Sequence, residues 1–240
     1  MTMQDTLNTI PLFNLLLVFI PVLVVIALLH AWSLEWKSAA YAIIRMLVQL
    51  LLIGYFLVYI FKSDDAIFIV GLLSIMVFIS SWIALRTIKH KRMKIYQFSF
   101  FAILIGGGIT LILVSQFVLN LNPWFTPRYL IPLAGMIFAS SMNGVSLAAE
   151  RLQAEMDRNV EYLKAREIAL KAALIPITNS LFAVGLVSLP GMMTGQILTG
   201  IHPLIAARYQ IMVMCMIFSS IGLSSALFLV MIKSEVEAYN

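Results

Sequence analysis

Seven long apolar runs set the strongest limit on what this chain can fold into: residues 10–32, 39–61, 66–85, 97–119, 129–149, 174–198 and 206–232. Each holds about the 20 residues that a helix needs to cross the hydrocarbon core of a bilayer. Inside that core every backbone N–H and C=O must be satisfied internally, which leaves helices or a closed barrel. Barrel strands alternate apolar and polar residues over segments of about ten; these runs are longer and continuous. The 240-residue chain is 62% hydrophobic and 11% charged, against about 45–50% and 25% for a soluble domain. The expected fold is all-α: a polytopic integral membrane protein with about seven transmembrane helices, in one domain over residues 1–240.

Two runs need comment. The first is preceded by one charge, Asp5, and is too long for the core of a secretory signal, so it reads as a retained span. The run 174–198 contains Pro176, Gly185, Pro190, Gly191 and Gly195. It is expected to be broken or partly re-entrant.

Lysine and arginine in short loops orient a membrane protein, the basic loops lying on the cytoplasmic side. Arg86, Lys89, Lys91, Arg92 and Lys94 follow the third run; Arg151, Arg158, Lys164, Arg166 and Lys171 follow the fifth. Both groups are expected inside, with Lys37 and Lys233. The N-terminus, Ser63–Asp65 and Asn120–Pro127 then lie outside and the C-terminus inside. If 174–198 does not cross, the C-terminus moves outside.

Residues 150–173 form the longest polar stretch, and they predict one amphipathic cytoplasmic helix continuing from the fifth span. Leu152, Met156, Val160, Leu163, Leu170 and Leu174 recur at spacings of three, four or seven, the period of one helix face. Glu155–Arg158, Glu161–Lys164 and Glu167–Lys171 form i,i+3 or i,i+4 pairs on the other face. Headgroup-bound helices are usually rich in Lys and Arg. Here acidic and basic residues balance, which fits a protein partner better than anionic lipid.

Polar groups within the runs mark helix contacts or a pathway. Arg45 lies six residues into the second run, with Gln49 one turn on; a charge at mid-helix costs roughly 2.5–3.5 kcal/mol on insertion scales. Arg45 therefore either snorkels to the headgroups or locks onto a neighbouring helix. Ser140, Ser141 and Asn143 follow Gly135 and Ala139, a pattern of packing glue or of a pathway lining. Gly106-Gly107-Gly108 suggests close helix contact. Thr178, Asn179 and Ser180 open the irregular run that continues through Met192, Met193 and Gln196. Broken helices often hold transporter substrate sites.

Metal and catalytic motifs are scarce. Met212, Met214, Cys215 and Met216 bear soft donors, but their spacing puts Met212 and Met216 on one face and Met214 on another, so core or lipid-facing methionine is the favoured reading. His30, His90 and His202 are scattered, and no metal ligand set emerges. There is no G-x-x-x-x-G-K-[ST], G-x-S-x-G or H-E-x-x-H, so no enzyme activity is expected. All eleven acidic residues fall outside the spans. That disfavours an ion-coupled carrier, which usually binds its coupling ion through buried acids.

Three stretches carry a resemblance: Arg45-Met-Leu-Val-Gln49-Leu-Leu-Leu-Ile-Gly-Tyr55; Ile131-Pro-Leu-Ala-Gly-Met-Ile137; and Ala172-Ala-Leu-Ile-Pro176 with Gly185-Leu-Val-Ser-Leu-Pro-Gly-Met-Met-Thr-Gly195, continuing to Tyr209-Gln-Ile-Met-Val213. Over about residues 38–230 the chain resembles the FetB permease family of ABC transporters, which includes bacterial iron-export and plant aluminium-tolerance permeases. The resemblance implies a homodimeric permease in the bacterial plasma (inner) membrane, with lipid and protein rather than nucleic acid as partners. It also implies a separate FetA-like ABC ATP-binding subunit that carries the ATP, this chain holding no cofactor. Arg158, Glu161, Arg166 and Glu167 on the 150–173 coupling helix would then contact the ATPase. Arg45, Gln49, Asn143, Asn179, Ser180, Met192, Met193 and Gln196 would line or shape the substrate path. The chain departs from the family pattern in a shorter segment between Asn143 and Ala172, without a Leu-Gly-Ala element. It departs again at Asn179, where an aspartate of the iron exporter is expected, and so lacks an anionic group suited to cation export. An ATP-independent channel or carrier and a non-transporting membrane scaffold are the rival classes.

Overall fold

The computed structural model describes residues 10–62, 65–88 and 92–237. Asp5, Ser63, Lys89, His90 and Lys91 lie outside the described residues. Among those described there are helices and turns and no strand. The chain divides into two compact units, Met1–Lys62 and Ser63–Asn240.

In the first unit, α1 (Leu12–Leu17) and α2 (Phe19–Ala31) together make one membrane-length run. The interruption at Val18 sits just before Pro21, whose ring has no N–H for the turn before it and crowds the carbonyl four residues back. The helix closes through Leu34 N donating to Leu29 O (2.8 Å), with Ser33 in the left-handed region at φ 57°. The chain then reverses into α3 (Trp36–Ile60), and His30 meets Trp36 edge-to-face at 5.3 Å.

The second unit is built on α4 (Ala66–Ala84), α5 (Arg92–Ile112, continued by a π-helical turn over Leu113–Val118), α6 (Pro127–Met156), α7 (Tyr162–Ala183), the short α8 (Gly191–Leu198), α9 (Pro203–Met231) and α10 (Lys233–Glu237). Asp65 caps α4 by accepting from Ile67 N at 2.8 Å. Contacts fix the directions. Tyr96 and Ser99, early in α5, donate to Phe78 O (3.3 Å) and Ser81 O (3.2 Å), late in α4, so these helices are antiparallel. Ser141 of α6 reaches Ser220 O of α9, and Tyr162 at the start of α7 donates to Leu229 O near the end of α9. Thus α4, α6 and α9 run one way and α5 and α7 the other. The end of α4, the start of α5, the α6–α7 turn and the end of α9 share one end of the unit.

Small residues hold this unit together. Between helices in lipid there is no hydrophobic drive, so association rests on close packing and interhelical hydrogen bonds. Ser224 Oγ donates to Ser141 Oγ (3.0 Å), and Ser141 in turn to Ser220 O (3.3 Å); all three serines are fully buried. A Cβ on Gly106 would lie 2.6 Å from Ser224 Oγ, and one on Gly144 2.8 Å from Ile221 Cγ2 and from Ser225 Oγ. Helices α5, α6 and α9 therefore touch almost backbone to backbone. Ile69, Ile103, Ile137 and Phe228 fill the remaining core.

Six helices among the described residues are long and apolar enough to cross a membrane: Leu12–Ala31, Trp36–Ile60, Ala66–Ala84, Met93–Val118, Pro127–Met156 and Pro203–Glu235. They correspond to six of the seven predicted runs. The seventh, 174–198, is a compound element: the last turns of α7, a tight turn and α8. Helix α7 still traverses the unit, but Lys164, Arg166, Glu167 and Lys171 make its first half polar.

The 150–173 stretch is not one helix. It is the end of α6 and the start of α7, joined by a turn at Asp157–Glu161. Asn159 takes φ 57°, and Arg158 N, Asn159 N and Val160 N close onto Glu155 O, Met156 O and Glu155 O. Asparagine tolerates the left-handed region better than most residues, so a helix can end here without glycine or proline.

Candidate functional site

Two places in the second unit gather polar and reactive groups: the broken segment after α7, and the α6–α7 elbow at the opposite end.

At the break, α7 stops at Ala183, whose carbonyl accepts from Leu186 N, Val187 N and Ser188 N. Gly185, at φ 81°, donates to Ser188 O at 2.9 Å. That left-handed backbone favours a residue without Cβ. Pro190, with φ −63°, then opens α8, which ends in a second left-handed glycine, Gly200. His202 caps α9, its Nδ1 accepting from Leu204 N at 3.3 Å. Helix α8 packs against α9. Between α7, α8 and α9 lies an apolar cavity of about 340 Å³, lined by Leu181, Val184, Gly185, Met193, Ala207, Gln210, Ile211, Met214 and Cys215. Gln210 is 5% exposed, and its Oε1 has no hydrogen-bond partner among the described residues.

A second cavity of about 180 Å³ lies between α6, α7 and α9 and brings Asn143 and Ser180 together, with Ser140 and Pro176 in its wall. Ser180 Oγ donates to Pro176 O at 3.0 Å. Asn179, the next residue on α7, faces a different space, a groove of about 530 Å³ along the outside of α7 with Glu167, Lys171 and Thr178. Met193 faces the cavity beside α9, whereas Met192 does not line it and is 37% exposed. Gln196 is half-buried on α8, its Oε1 without a partner among the described residues. Arg45 and Gln49 stand one turn apart on one face of α3, in the first unit. Within the second unit, Asn143 with Ser180, then Asn179, then Met193 line three different spaces.

At the elbow, α6 is 30 residues long, about 45 Å at 1.5 Å per residue. A hydrocarbon core is about 30 Å thick, so the last turns of α6 project beyond it. Arg158 and Glu161 are exposed on the turn, with Glu167 exposed and Arg166 half-buried on α7. Lys164 pairs with Glu167 at 3.3 Å on the surface. Glu155, which the sequence assigns to the solvated face, is buried. Its Oε1 lies 2.5 Å from Arg151 Nη2 and 3.9 Å from Arg158 Nη1. That oxygen accepts no aligned hydrogen bond; the contact is an ion pair set by distance rather than by angle. The buried face of α7 is also not the predicted stripe. Tyr162, Ala165, Ala169, Ala173 and Ile177 are buried, and Leu163 is 47% exposed.

Tyr162 pins the elbow by donating its hydroxyl hydrogen to Leu229 O. Tyr162→Phe is expected to cost about 1 kcal/mol, or about 2–4 °C of melting temperature for a chain of this size. Thermal unfolding in detergent checks this, and an unchanged melting temperature contradicts it. Glu155, Tyr162 and Gln210 are absent from the sequence-based candidates. For Glu155 the signals were its i,i+3 spacing to Arg158 and its i,i+4 spacing from Arg151.

Comparison with known proteins places these features in a family. The chain is 36% identical over 228 residues to the probable iron export permease protein FetB of Escherichia coli strain K12, covering 88% of this chain and 86% of that one. It is 34% identical over 196 residues to the membrane protein slr1647 of Synechocystis, covering 75% and 76%. It is 33% identical over 224 residues to the protein ALUMINUM SENSITIVE 3 of Arabidopsis thaliana, covering 87% and 80%. No solved structure matches the chain. Residues 12–166 and 162–236 match an uncharacterised protein family, UPF0014, and it is to this family of membrane proteins that the chain belongs.

Proposed function

We propose that the chain is the membrane permease subunit of an ABC transporter, working as a homodimer with a separate ATP-binding subunit on which ATP is hydrolysed. The substrate class is a metal ion such as iron, exported across a bacterial plasma membrane. The elbow is the observation that carries this reading. Two bundle helices run on past the hydrocarbon into a short charged hairpin, stiffened by buried Glu155 and by the Tyr162–Leu229 bond. Such a hairpin transmits displacement between a partner seated on it and the helices behind it. The same end of the unit carries Arg86, Arg151, Arg158, Lys164, Arg166, Lys171 and Lys233, which supports a cytoplasmic placement with the C-terminus inside and the N-terminus outside. The iron assignment draws on the name of the E. coli relative.

The test is co-purification with a candidate ATP-binding subunit, and ATPase measurement in vesicles. Replacing Arg158, Glu161, Arg166 and Glu167 together with alanine is expected to abolish co-purification and to lower stimulated ATPase activity at least tenfold. Unchanged complex formation and stimulation would remove the coupling role.

A further inference from the structure

We propose that the cavity between α7, α8 and α9 is a binding site for a soft, monovalent, thiophilic cation, held by Cys215, Met193 and Met214 with the amide oxygen of Gln210.

Three observations point there. The structure brings Met193 of α8 to the same cavity wall as Met214 and Cys215 of α9, so three sulfur-bearing side chains from two helices line one space of about 340 Å³. Thioether and thiolate are soft donors that select ions of the copper(I) kind. Gln210 is only 5% exposed, and its Oε1 lacks a partner among the described residues. A buried acceptor left unmatched costs free energy, and a bound cation would satisfy it. Finally, Gln210 and Met214 are four residues apart on α9 and share a face. The sulfur pair and the oxygen are therefore presented by the same stretch of a continuous helix.

The donor set also says what does not fit. Among the described residues the cavity wall has no carboxylate and no imidazole, the hard or borderline donors that trivalent iron or aluminium would need. The rest of the wall is aliphatic, so a net charge there is poorly solvated. A monovalent ion on a thiolate is neutral overall. The step balances simply: the Cys215 S–H bond breaks, a sulfur–metal bond forms, and the proton leaves to bulk buffer with no change of oxidation state. That such an ion is cargo on a transport path rests on the permease reading; that it binds here does not.

The experiment measures binding of silver(I), a redox-inert probe, to the purified full chain in detergent, by equilibrium dialysis with metal analysis and without any ATPase. About one tightly bound ion per chain is expected. Cys215 is exposed and Met193 half-buried on α8, so Met193→Leu with Cys215→Ser leaves the packed core intact and is expected to weaken that binding at least tenfold. Gln210→Leu is expected to weaken it by a smaller factor, with the fold checked by thermal unfolding. Met93→Leu with Met212→Leu, sulfurs outside the cavity wall, is expected to change nothing. Unchanged affinity in the cavity variants, equal loss in the control pair, or equimolar displacement of silver(I) by aluminium(III) would each overturn the site. Failure here leaves co-purification with an ATPase untouched, and failure there leaves silver binding standing.

Discussion

Gly106→Ala is expected to lower the melting temperature of the detergent-solubilised protein by several degrees, and Gly106→Leu to leave no folded second unit. A Cβ at this position meets Ser224 Oγ at 2.6 Å, Ser224 N at 2.7 Å and Ser224 Cα at 3.0 Å. Two of those atoms are backbone, so no rotamer change relieves the clash. Helices α5 and α9 would have to separate, and Ser224 would carry with it the Ser141 hydroxyl it bonds. Overpacking of a tight contact costs about 1–3 kcal/mol, and here the loss of an interhelical hydrogen bond adds to it. The two neighbouring glycines make the test internal. A Cβ on Gly107 would stand 3.0 Å from the Phe138 ring, a side chain with some room to adjust, and one on Gly108 would meet nothing within 4 Å. Gly107→Ala should therefore cost less than Gly106→Ala. Gly108→Ala should be neutral or stabilising by up to about 1 kcal/mol through helix propensity. A series in which the three alanines behave alike would show that the backbone contact does not govern this part of the bundle.

The same glycines show what the sequence could and could not reveal. Three in a row announced close helix contact, yet only the structure separates Gly106 against α9 from Gly107 against α6 and from Gly108, which has open space. The spans were legible because about 20 consecutive apolar residues have few other solutions. Pro190 and the glycines around it likewise located the break in 174–198. The elbow was misread for a local reason. Leu152, Met156, Val160 and Leu163 keep a helical period straight through the turn, and Asn159 ends the helix without a glycine or proline to mark it. Past that turn the phase resets, and α7 packs on alanines, which a search for large apolar residues passes over. The cavity sulfurs were hidden for a different reason. Met193 and Cys215 are brought together only by α8 folding back on α9, and no spacing along one helix encodes that.

Glu155→Ala is expected to lower partner-stimulated ATPase activity at least tenfold while shifting the global melting temperature by only a few degrees. The carboxylate is buried at the last turn of α6, between Arg151 one turn before and Arg158 three residues after. Its removal leaves two guanidiniums facing a space that held their counter-charge. Loss of one partner in a buried charged contact costs about 1–3 kcal/mol, and part of that is recovered because Arg151 and Arg158 reach solvent, with 44% and 71% of their side chains exposed. The deficit is local. The packed serines and glycines lie further along the bundle and keep their contacts. What loosens is the joint through which, on the permease reading, displacement passes. Glu155→Gln tests charge apart from shape: it fills the same volume, and it should behave nearly as badly as alanine if the ion pair sets the hinge angle. Arg151→Met in the Glu155→Ala background should then cost little more, since the pair is already broken and strongly coupled residues are non-additive. Stimulation within twofold of wild type in Glu155→Ala, with the partner still bound, would mean that the hairpin serves as a docking point and that force enters the bundle elsewhere.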